Sequence, residues 1–206
     1  MGGCCEGGCE LNALHGRQRS TLKIVLSINA VMFFVIVAAA LYAGSVSLLS
    51  DSLDNLGDAL TYALSIYAVA RGGRIKARVA LFKGALILVA ALAVAGQIIY
   101  KLMHPAVPIF ETMSAFSLLG LAANGTCLYL LWRHRNEDIN MSSVWECSRN
   151  DIASNLAVLV AALGVWATGS GWPDLFVAFC LVMLLLRSAI RIIAAARKEL
   201  RANCLT

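Results

Sequence analysis

The sequence predicts an all-α membrane protein with six transmembrane helices and both termini in the cytoplasm, and three observations predict it. Of the 206 residues, 60% are hydrophobic and 14% charged, whereas a soluble domain carries about a quarter charged residues; mean hydropathy is +0.76. Six apolar runs follow one another, each near the roughly 20 helical residues that cross a hydrocarbon core of about 30 Å. Lysine and arginine alternate in density from one connector to the next. Six spans use nearly all of the chain, which excludes a second soluble domain, a nucleotide-binding cassette or an extended external module.

The first span, Leu22 to Ala43, exceeds a signal-peptide core and five more follow it, so it is a retained helix. Gly44-Ser45 breaks it from the second, Val46 to Ala70, which ends at the basic stretch RGGRIKAR. The third, Val79 to Tyr100, stops at MHPAVP, where two prolines forbid continuation. The fourth, Thr112 to Trp132, runs into WRHRNED, and the fifth, Ser143 to Thr168, into TGSGWPD before the sixth, Leu175 to Ala196. Short connectors make successive helices antiparallel. The expected organisation is a flexible cysteine-containing tail over residues 1–20, a membrane domain over 21–197 and a short tail over 198–206.

With the N-terminus inside, the cytoplasmic side receives Arg17, Arg19, the cluster Arg71 to Arg78, Arg133, Arg135 and the C-terminal basic residues, while the outer connectors receive only Lys101. That asymmetry accounts for the formal charge of +5. The basic residues are not interleaved with aromatics, so no nucleic-acid partner is expected. The expected setting is a bacterial inner membrane, with the lipid bilayer as the main partner surface. The seven cysteines would all lie in spans or cytoplasmic tails, which leaves no role for a disulfide framework.

Five of the twelve acidic residues, Asp51, Asp54, Asp58, Glu146 and Asp151, fall inside spans. A carboxylate in the hydrocarbon region costs several kcal/mol unless it is neutralised, paired or hydrated, so each marks a candidate site. In SLLSDSLDNLGDAL, Asp54 and Asp58 are spaced i, i+4 and Asp51 lies three residues before Asp54, which sets all three on one helical stripe. No Lys or Arg lies between Val46 and Ala70. Their neutralising partner must come from another helix or be a bound cation.

In VWECSRNDIASN, Cys147, Asp151 and Asn155 succeed one another at i, i+4, while Arg149 is turned about 160 to 200° away and pairs more naturally with Glu146. Two helices each presenting a ligand pair at that spacing build a four-coordinate site from Asp54, Asp58, Cys147 and Asp151. Carboxylate oxygens with one thiolate suit zinc, and the soft sulfur also suits cadmium. Calcium and magnesium rarely recruit a cysteine.

These residues resemble the cation diffusion facilitator family of divalent-metal transporters. GSVSLLSDSLDNLGDALTYALSIYA is similar to the family's second helix, whose metal-binding positions are Asp54 and Asp58 here, and SSVWECSRNDIASNLAVLVAALGVWATGSGWPD to its fifth, where Asp151 matches and Cys147 replaces the usual histidine. The resemblance implies that Asp51 lies behind the site or on the way into it, and Asn155, on the same face of the fifth helix as Cys147 and Asp151, is a candidate for the same role. It spans about residues 20–197. The family's cytoplasmic ferredoxin-like domain has no counterpart after the sixth helix, so a homodimer is expected to use the membrane helices.

The resemblance implies a transporter that is not an enzyme, needs no prosthetic group, and exports Zn2+ or Cd2+ from the cytoplasm in exchange for protons. The alternatives are an exporter of Co2+, Ni2+, Fe2+ or Hg2+, or a membrane protein that binds or senses metal without moving it. Cys4, Cys5 and Cys9 either capture soft cations or sit incidentally in a glycine-rich tail. Cys127 and Cys180 read as packing residues, His104 and His134 as solvated, and Asn29, Gln97 and Asn124 as interhelical bonds or path lining. Arg187, twelve residues into the sixth span, either snorkels, tilts its helix or approaches an acid on another helix.

Overall fold

The computed structural model describes the backbone of residues 6–68, 73–132 and 139–202, and the side chains of 20–63, 80–132 and 150–198 together with 78 and 200. Among the described residues six helices follow in order: α1 (Glu6–Ala43), α2 (Val46–Ala68), α3 (Gly73–Met103), α4 (Phe110–Trp132), α5 (Ile139–Thr168) and α6 (Trp172–Ala202). The expected order and number of helices are as observed. Helix α1 reaches back to Glu6, into the stretch expected to be a flexible tail; no proline interrupts residues 6–20, so the backbone ladder continues there.

Among the described residues, five of the helices are long and apolar enough to cross a membrane. The exception is α2, whose hydropathy is interrupted by its three aspartates. Its position compensates: α2 packs against α1, α3, α5 and α6, so its polar stripe is enclosed by protein. The principal pairs around it are α1 with α2, α3 with α6 and α4 with α5. Phe34, Tyr129 and Val160 are exposed, as lipid-facing side chains are, and Trp132, Trp166 and Trp172 lie exposed near helix ends where an aromatic belt forms.

At the end of the bundle that carries the α1–α2, α3–α4 and α5–α6 turns, the connectors are locked together. Helix α1 ends in a left-handed Gly44 (φ 62°), and Ser45 N–H donates back to Ala40 O at 3.0 Å, the six-to-one closure of a Schellman cap. Ser45 then caps α2, its Oγ accepting from Leu48 N–H at 3.1 Å. The first turn of α2 is also held by Asp174 of α6, which is 1% exposed. Its carboxylate accepts from Val46 N–H (2.8 Å), Ser47 N–H (3.0 Å) and the hydroxyls of Ser45 and Ser47 (2.6 Å each). One negative charge thus serves the positive ends of two helices. Ile109 N–H donates to Ala43 O at 3.0 Å, Lys101 Nζ donates to Gly44 O at 2.5 Å, and a Cβ at Gly171 would meet Ala106 O at 2.6 Å. That end is closed.

Candidate functional site

The acidic stripe of α2 faces α5 in antiparallel register. Asp54 lies beside Ser154, and one turn further along Asp58 lies beside Asp151 on the same cavity wall. Asp58 and Asp151 are 8% and 6% exposed. Tyr62, fully buried one turn beyond Asp58, donates its hydroxyl to Asp58 Oδ2 at 2.5 Å. That bond orients the carboxylate from behind.

Asp51 lies one turn toward the closed end, and neither of its buried oxygens has a partner among the described residues. Asp151 Oδ2 and Asn155 Oδ1 are also buried without one, while Asn155 Nδ2 donates to Asp151 O at 2.8 Å. Buried polar atoms are normally bonded, so unsatisfied oxygens gathered on the facing stripes of two helices mark a place built for something polar. Asn155 is accommodated by Gly120 of α4, where any Cβ would run into the Asn155 side chain. Among the described residues, no Lys or Arg forms an ion pair with Asp51, Asp54 or Asp151.

Asp54, Asp58, Asp151 and Ser154 line a cavity of about 820 Å³ that α6 closes on its far side with Arg187 and Arg191. The cavity runs between α2, α5 and α6, from Phe176 and Val177 within one turn of Asp174 to Arg191. A smaller cavity of about 190 Å³ among those turns carries no acid. Among the described residues, no three His, Cys, Asp or Glu side chains converge tightly enough to hold an ion by themselves. The three aspartates share one cavity wall without closing into a finished coordination sphere.

The side chain of Cys147, the fourth residue of the expected set, lies outside the described residues, as do those of Cys4, Cys5, Cys9, Glu146, Arg149 and His134. Cys127 is buried against Val25, Tyr62 and Leu131, as expected of a packing residue, and receives Asn29 Nδ2 at 3.8 Å. Cys180 differs from expectation: it is exposed and lines the cavity, because it shares the α6 face that carries Leu184, Arg187 and Arg191. Asn29 and Asn124 are inside the bundle, Gln97 is exposed on its outside, and His104 is exposed and stacked on Tyr100 with ring centroids 4.6 Å apart.

Sequence patterning did not single out Tyr62, Gly120, Ser154 or Asp174. Only Asp174 left a signal, an acid directly after a proline at a helix start, where the macrodipole favours it. Compared with known families, residues 22–201 match the cation efflux transmembrane domain. No curated protein matches the chain.

Proposed function

The chain belongs to the cation efflux family, a family of membrane transporters for divalent metal cations, and from that premise we propose that it exports Zn2+ or Cd2+ from the cytoplasm in exchange for protons. The observation that carries the proposal is the cavity wall on which Asp54, Asp58 and Asp151 stand together without a described cationic partner for Asp54 or Asp151. Cys147, one turn before Asp151 on α5, supplies the fourth donor. Three carboxylates and a thiolate form a set for a tetrahedral, borderline-soft dication.

The family match supports metal efflux in general; the choice of metal, the protons and the direction relative to the cytoplasm rest on the residues. The locked turns hold one end of the bundle together, and the cavity runs from beside them to Arg191, toward the end that carries both termini. Positive-inside orientation makes the end that carries both termini cytoplasmic, and in this reading metal enters the cavity from there. Binding displaces protons, because carboxyl and thiol ligands coordinate in their deprotonated forms. Rearrangement of α2 and α5 against their neighbours, with release of the turn-end lock, then exposes the site outward, where returning protons displace the metal. The apolar outer faces of the helices provide the surface for a homodimer in a bacterial inner membrane.

A protein that binds the same ion without moving it is the alternative. Purified chain in sealed vesicles, offered Zn2+, Cd2+, Co2+, Ni2+ and Fe2+ in turn, separates the two. Accumulation of zinc or cadmium supports export, whereas binding with no accumulation of any metal assigns the chain to sensing or storage.

A further inference from the structure

Arg187 stands where a charged residue needs a reason. It lies mid-way along α6, it lines the same cavity as Asp54, Asp58 and Asp151, and among the described residues it has no ion-pair partner. Its level in the bundle follows from the turn-end lock. Helices α2 and α6 both run away from that lock and pack against each other, and there Asp174 is bonded to Val46, 128 positions earlier. The same offset carried along two parallel helices sets Asp58 level with Leu186, the neighbour of Arg187. Arg191 lies one turn further toward the terminal end on the same wall. By this offset Arg187, exposed on the part of the cavity wall that α6 forms, stands at about the depth of Asp58 and Asp151.

We propose that Arg187 is a tethered competitor of the transported cation, a fixed positive charge that holds the affinity of the acidic site down so that the metal leaves after crossing. The inference rests on the proposed metal-binding reading. Two consequences of the geometry support it. A dication entering the cavity must approach a permanent cation that cannot deprotonate, so the repulsion is present at every pH. When the metal leaves, the long side chain can swing toward the carboxylates and partly neutralise them, which stabilises the empty site. Snorkelling to the interface would leave Arg187 without either role. Arg191, one turn nearer the terminal end and exposed like Arg187, adds a more distant charge on the same wall.

The test uses the full chain in lipid nanodiscs and measures zinc affinity by competition with a chelating dye, for wild type, Arg187→Lys, Arg187→Gln and Arg187→Glu. The expected order follows charge. Lys stays within about threefold of wild type, Gln binds about tenfold tighter and Glu tighter still, as expected for removing or reversing a unit charge beside a dication at intermediate dielectric. The Gln variant should also turn over more slowly in vesicles at saturating zinc, because release becomes limiting. A flat series, or one in which Gln and Glu bind more weakly than wild type, overturns the inference. Using three substitutions keeps the result readable if one of them fails to assemble. Wild type that binds zinc and loses it on Asp58→Ala, combined with a flat Arg187 series, sinks this inference alone; wild type that binds no metal sinks the reading beneath it.

Discussion

Asp58 and Asp151 stand together on one cavity wall, across the contact of α2 with α5. A metal ion that takes both as ligands has to expel any proton that they hold, because carboxylates coordinate in their deprotonated form. Zinc binding in weakly buffered solution should therefore release at least one proton per ion, and apparent affinity should fall as pH drops, more steeply for each proton displaced. Asp58→Asn should lower the count. A pH-indicator titration that records no release would show that the pair is not the binding site.

Cys147 should set the preference among metals. Thiolate favours softer cations, so Cys147→His is expected to shift the cadmium-to-zinc affinity ratio toward zinc, and Cys147→Ser to weaken both. Calorimetric titration of the two metals reads the ratio directly. An unchanged ratio in both variants removes Cys147 from the coordination sphere.

Asp174 should act as a structural lock at the closed end. Asp174→Ala removes the acceptor for two backbone N–H groups and two hydroxyls at the start of α2, a loss of about 2 to 4 kcal/mol for a charged, buried cap. The melting temperature in detergent should drop by several degrees, with Asp174→Asn intermediate. Equal melting of all three proteins would contradict the role.

Gly120 should tolerate no side chain. Gly120→Ala drives a methyl group into Asn155, so α4 and α5 must separate or Asn155 must leave its bond to Asp151 O. The expected cost is about 1 to 3 kcal/mol, with weakened zinc binding because α5 carries Asp151. Gly125→Ala, where nothing lies within 4 Å, is the control and should melt like wild type.

The architecture and the acidic stripe were legible in the sequence because both rest on local periodicity. Apolar runs of membrane length define helices whatever their neighbours, and an i, i+4 spacing puts Asp54 and Asp58 on one face before any partner is known. What depends on which helix meets which was not. Gly120 matters only because Asn155 packs opposite it and Ser154 only because Asp54 lies across from it; Tyr62, four residues after Asp58 on the same helix, was within reach of the spacing argument but was not singled out. Arg187 was visible as an anomaly, yet its meaning required the parallel registration of α2 and α6 that Asp174 fixes. Cys180 shows the opposite failure: a small apolar residue suggests packing, but the α6 face it shares lines a cavity.

The most direct test of proton-coupled export through this acidic cavity is zinc flux into proteoliposomes under an imposed proton gradient, with membrane voltage clamped, for wild type, Asp58→Ala and Asp151→Ala. Wild type is expected to move zinc faster when the side receiving the metal is the more acidic and to slow when a protonophore collapses the gradient, while both variants assemble but carry no flux. Normal flux in both variants, or wild-type flux indifferent to the gradient, would contradict proton-coupled export through these aspartates.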